Sequence, residues 1–146
     1  MTPVLADIIW PALFLEERLV SLWVILAGLI IEYFFVWRIT DLGWMRSIWA
    51  DVAMNAASTL LGLLLIPLVG FIVVIFPGGA FGTFSPVNWV ATFLAAVLVN
   101  ALIDFLILWK GFKQNIGKRQ FWWLCLANAL SVGIAFGSIL FFPIKM

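Results

Sequence analysis

The residues of this chain that are able to do chemistry are few, and they sit in apolar company. Of seven acidic side chains, Glu32, Asp51 and Asp104 lie within or beside long greasy runs, and Asn55, Ser58, Asn100, Asn128 and Ser131 share those runs. A carboxylate at bilayer depth is costly to leave ionised and alone, so each must be ion-paired, hydrated, metal-bound or protonated. Arg38, Arg46 and Lys110 stand near the ends of the same runs, with stems long enough to reach back and neutralise Glu32, Asp51 and Asp104. Alternatively, the carboxylates and amide oxygens form a proton or cation site, whose all-oxygen ligands suit Na⁺, Ca²⁺, Mg²⁺ or Mn²⁺ better than zinc or copper.

A third use of the acids, general acid–base chemistry on a lipid headgroup, lacks a nucleophile-plus-base pattern. There is no histidine, and the single cysteine, Cys125, lies in an apolar run. That excludes a disulfide within the chain, histidine-ligated haem and Cys/His zinc. Pro77–Gly79 is followed by no Lys-Ser/Thr and is no phosphate loop. The sequence reads as no enzyme, with no catalytic residue and no cofactor.

Spacing places these polar groups on helix faces. Asp51, Asn55, Ser58 and Gly62 fall on one stripe, as do Thr92, Ala96, Asn100 and Asp104. Ser21, Gly28 and Glu32 form a similar face, and so do Cys125, Asn128, Ser131 or Val132, and Ala135. Small faces let helices approach closely, and Gly133–Gly137 adds a GxxxG that fits a close crossing. The first stripe should face the bundle interior and meet Asn100 or Asp104 of the third helix and Asn128 of the fourth.

The chain also matches itself at an offset of 72 residues. Glu32 falls on Asp104, Trp37 on Trp109, Arg38 on Lys110, Arg46 on Lys118 and Trp49 on Phe121. After Trp49 the register slips by one, and Asn55-Ala-Ala-Ser58 falls on Asn128-Ala-Leu-Ser131. Tryptophan and basic residues recur at any membrane interface, but matched acids and asparagines inside spans do not. The pattern predicts a tandem repeat of two helical hairpins, residues 19–76 and 87–143, related by an axis along the membrane normal.

These residues need elements that hold them in lipid. With 66% hydrophobic and 10% charged residues among 146, and a mean hydropathy of +1.21, the composition excludes a water-soluble fold. Four runs reach the roughly 20 residues a crossing requires: Leu19–Trp37, Val52–Phe76, Val87–Trp109 and Phe121–Phe142. They lack the alternation of barrel strands and are about twice as long, so helices are expected. The fold class is an all-α integral membrane protein, with an N-terminal interfacial segment over 1–18 and a four-helix domain over 19–146. Pro3–Leu15 lacks a basic n-region and a small-residue cleavage site and does not read as a signal peptide. Pro67 should kink the second helix unless neighbours satisfy the freed carbonyl.

The connections Arg38–Ser47 and Lys110–Gln120 carry Arg38, Arg46, Lys110, Lys113, Lys118 and Arg119, against Arg18 and Lys145 on the other side. The positive-inside rule puts both connections in the cytoplasm, and both termini and Pro77–Pro86 outside, in a membrane expected to be a bacterial inner one. A net charge of +1 gives no reason to expect nucleic acid. The partners expected are the lipid bilayer and another membrane protein or further copies of the chain. The functional expectation is a non-enzymatic polytopic protein acting by helix–helix contact with a membrane partner, as an accessory, assembly or immunity-type subunit. The alternative is a small ion or proton transporter or channel subunit using the intramembrane acids and asparagines.

Overall fold

A computed structural model describes residues 22–75 and 86–141. The expected N-terminal interfacial segment and the Pro77–Ser85 turn lie outside the described residues. Among the described residues there are four helices: α1 (Leu22–Ile39), α2 (Gly43–Ile75), α3 (Pro86–Leu106, continued by a π turn over Ile107–Gly111) and α4 (Lys118–Phe141). No strand occurs among the described residues. All four helices are long and apolar enough to cross a membrane.

The sequence places the first hairpin turn too generously. The apolar run from Val52, preceded by Ile48–Asp51, places the start of α2 near Ile48, but the helix begins at Gly43 and the turn shrinks to residues 40–42. Its first two turns, with Trp44, Arg46, Ser47 and Trp49, mix polar and apolar residues, yet they form regular helix and belong to the stretch apolar enough to cross a membrane. Gly43 enters with φ 72°, a left-handed conformation that suits glycine. The Ser47 hydroxyl then donates to the Gly43 carbonyl at 2.8 Å. The second connection likewise contracts to residues 112–117. Helix α2 passes through Pro67 as one helix, and Pro86 opens α3, where its missing N–H costs nothing.

Each helix packs against two neighbours, α1 on α2, α2 on α3, α3 on α4 and α4 on α1, making a four-membered ring. The two hairpin turns lie at the same end, where the Asp41 backbone N–H donates to the Gln114 side-chain oxygen at 3.3 Å. Inside the ring the core divides into layers. Val36, Ala50, Met54, Ala101, Leu108, Leu124 and Cys125 fill the end nearer these turns. Val24, Ala96, Val97, Val132 and Ala135 fill the other end, backed by Phe93 and Phe136 at a ring separation of 5.5 Å. Between the two clusters come Glu32, Asn100, Asp104, Asn128 and Ser131, all buried. Leucine, isoleucine and tryptophan cover the perimeter, with Ile30 and Leu64 each 72% exposed, an exterior compatible with lipid.

Candidate functional site

The polar layer is built from two similar arrangements, one per hairpin. In the first, the Asn55 amide on α2 donates to Glu32 Oε2 on α1 at 2.8 Å, to the Asp51 carbonyl at 3.1 Å and to Asp51 Oδ1 at 3.2 Å. In the second, the Asn128 amide on α4 donates to Asp104 Oδ2 on α3 at 2.6 Å and to the Leu124 carbonyl at 3.1 Å. One turn further along, Ser58 and Ser131 each donate to the carbonyl of their asparagine at 3.2 Å. The amide, its carboxylate on the preceding helix, the carbonyl four residues back and the serine three residues on thus recur together. The matched pairs of the sequence offset, Glu32 with Asp104 and Asn55 with Asn128, occupy corresponding roles in these bonds.

The stripe Asp51, Asn55, Ser58 and Gly62 faces inward, with Asp51 and Gly62 buried and Asn55 and Ser58 half-buried, but the partners of Asn55 differ from the expectation. Asn55 bonds within its own hairpin, to Glu32, and not to Asn100, Asp104 or Asn128. It is half-buried, whereas Asn128 is 2% exposed. The link between hairpins is Ser131, which faces the Glu32 carboxylate from α4. Beside it Gly28 brings α1 close to α4, since a Cβ on Gly28 would meet the Ser131 Cβ at 3.5 Å. The GxxxG makes no close crossing among the described residues: a Cβ on Gly133 or Gly137 would have nothing within 4 Å.

Electrostatically the layer is one-sided. Glu32, Asp51 and Asp104 lie within range of one another's charge. The basic side chains do not come back to neutralise them. Arg38, Arg46, Lys110, Lys113, Lys118 and Arg119 are exposed, none bonds to these acids, and Lys110 lies over the Trp109 ring at 5.5 Å. Among the described residues no three acidic or cysteine side chains gather closely enough to hold a metal ion.

Two acceptors are left over. Asp104, 1% exposed, uses Oδ2 for Asn128, and its Oδ1 has no hydrogen-bond partner. One turn earlier on α3, Asn100, 8% exposed, has an equally unpartnered Oδ1. Buried polar atoms are nearly always satisfied, and an orphan costs about 1–3 kcal/mol. Two orphaned acceptors a turn apart on one face call for a donor or a positive charge. The i, i+4 spacing of Asn100 and Asp104 identifies that face in the sequence, but it cannot show that neighbouring helices offer no donor. The role of Gln114 in joining the two turns carries no sequence signal. Comparisons with protein-family models, curated proteins and solved structures found no match.

Proposed function

We propose that the chain is a proton-handling subunit of a membrane assembly, with Asp104 as the exchanging group. The observation that carries this reading is the pair of buried, unpartnered oxygens, Asp104 Oδ1 and Asn100 Oδ1, in a layer holding three acids and no base. A proton arriving on Asp104 Oδ1 turns one orphaned acceptor into a donor directed at the neighbouring amide oxygen. Asn128 holds the other carboxyl oxygen fixed throughout. Glu32 and Asp51, joined through the Asn55 amide, form the second acidic station. Intramembrane acids without counter-charges commonly mark proton and ion paths. A proton suits this layer better than a metal ion, which would ask for more converging oxygens than the described residues offer.

The apolar clusters on either side of the layer favour the assembly half of the reading. A proton crosses them only if helices move or another chain, a second copy or a different membrane protein, supplies a path.

The test is proton flux into liposomes containing the purified protein under an imposed potassium diffusion potential, read by an internal pH dye. Flux above that of protein-free liposomes is expected, with loss in Asp104→Asn and reduction in Glu32→Gln. Flux indistinguishable from empty liposomes, from the chain alone and from the chain with whatever co-purifies in mild detergent, overturns the reading. Movement of Na⁺ with no proton counterflow reassigns the site to a monovalent cation.

A further inference from the structure

We propose that the cavity between α1 and α4, at the hairpin-turn end of the bundle, binds an anionic phospholipid through its phosphate. The cavity has a volume of about 540 Å³ and is lined by Phe34, Phe35, Arg38, Arg119, Gln120 and Trp123. That volume falls among those of small-molecule sites, about 300–1,000 Å³. Arg38 comes from the last turn of α1 and Arg119 from the first turn of α4. Neither guanidinium has an ion-pair or hydrogen-bond partner among the described residues. Two free guanidinium forks beside one cavity match the geometry of a phosphate, which arginine holds through paired N–H donors.

The occupant must also be an amphiphile. Running away from Arg38 along α1, Phe34, Ile30 and Leu26 succeed one another every four residues and are 56%, 72% and 52% exposed. Running away from Arg119 along α4, Trp123, Leu126 and Leu130 are 44%, 44% and 45% exposed. The rings of Phe35 and Trp123, 5.7 Å apart, wall the space where the two stripes meet the arginines. Positive charge above paired apolar stripes reproduces the polarity of a phospholipid, headgroup above acyl chains. A free phosphate has no use for the stripes.

The site is not repeated in the other half of the ring. At the place of Arg38 stands Lys110, which lies over Trp109, and at the place of Trp123 stands Ala50. The asymmetry gives the bundle one lipid-binding edge, between the first and last helices.

The experiment uses the whole chain in detergent with phosphatidylglycerol or phosphatidylcholine carrying brominated acyl chains, which quench tryptophan fluorescence on contact. The signal of Trp123 is the difference between the wild type and Trp123→Phe. Phosphatidylglycerol should quench it at about thirtyfold lower lipid fraction than phosphatidylcholine, the preference two basic groups supply near an anionic headgroup. Arg38→Gln with Arg119→Gln should abolish the preference, and Arg38→Lys with Arg119→Lys should keep part of it. Equal quenching by the two lipids in the wild type overturns the proposal without recourse to any variant. So does a preference that survives the double glutamine change in protein of unaltered helicity. Displacement of phosphatidylglycerol by inorganic phosphate alone reassigns the cavity to a free anion.

Discussion

At the scale of single residues, the buried Asp104 carboxyl depends on one neighbour, because its only side-chain hydrogen bond among the described residues comes from Asn128. Asn128→Leu leaves the whole carboxyl unpartnered in a buried layer and should cost about 1–3 kcal/mol, read as a lower Tm in detergent. Asn55→Leu should cost less, since Asn55 is only half-buried. Asp104→Asn separates stability from function. The new amide oxygen still accepts from Asn128, and the new N–H₂ removes the orphaned carboxyl oxygen and puts a donor one turn from the unpartnered Asn100 Oδ1. The variant should match or exceed the wild-type Tm while losing proton flux; a clear fall in Tm would make the carboxyl a structural clamp instead. The candidate site was legible to this depth because acids and asparagines in apolar runs are conspicuous. What the residues did not reveal was who bonds to whom. The stem of Lys110 has the reach to find Asp104, but a ring at its own helix end captures it. Reach sets which partners are possible, and the neighbouring surface decides among them.

At the scale of elements, helix existence was legible from hydropathy, and helix ends were not. The first two turns of α2 carry Trp44, Arg46, Ser47 and Trp49, a mixture that suits an interface and lowers hydropathy without breaking a helix. The register slip lies outside the hairpin turns. Glu32 and Asn55 are separated by 23 residues, Asp104 and Asn128 by 24. Only the second hairpin contains a π turn, with Phe112 N–H bonding to the Ile107 carbonyl at 3.1 Å, where the first hairpin bonds Thr40 N–H to Val36 at 3.0 Å. The wide turn precedes Phe121, which still matches Trp49 at an offset of 72, so the extra residue enters later, within α4 between Phe121 and Asn128. The glycines teach a parallel lesson. A GxxxG spacing names a small face, but only the partner's position makes it a crossing. Gly28→Leu should therefore force α1 from α4 and lower stability by about 1–3 kcal/mol, whereas Gly133→Ala and Gly137→Ala should leave Tm nearly unchanged. Thermal unfolding followed by size-exclusion chromatography of heated samples measures both, and equal losses at all three positions would show that the α1–α4 approach through Gly28 is not the tight one.

At the scale of the whole molecule, the ring of four helices brings the two hairpin turns together at one end. The Asp41–Gln114 hydrogen bond joins them directly. The six basic residues Arg38, Arg46, Lys110, Lys113, Lys118 and Arg119 therefore belong to one surface, which two separate loops in a sequence could only suggest. Trp37, Trp44, Trp49, Trp109, Trp122 and Trp123 are exposed at the same end, a distribution compatible with the aromatic belt of a membrane interface. On the positive-inside rule, a surface this rich in lysine and arginine is expected on the cytoplasmic side. The orientation can be measured with single cysteines placed at Asp41 and Asn115, both exposed, in a Cys125→Ala background; the buried Cys125 would otherwise confuse the count. In intact cells both new thiols should resist an impermeant maleimide, and in inside-out vesicles both should react. Because the turns touch, the two positions must behave alike whatever the orientation. Opposite labelling of Asp41→Cys and Asn115→Cys would contradict the ring itself, whereas labelling of both in intact cells would keep the ring and invert the charge argument.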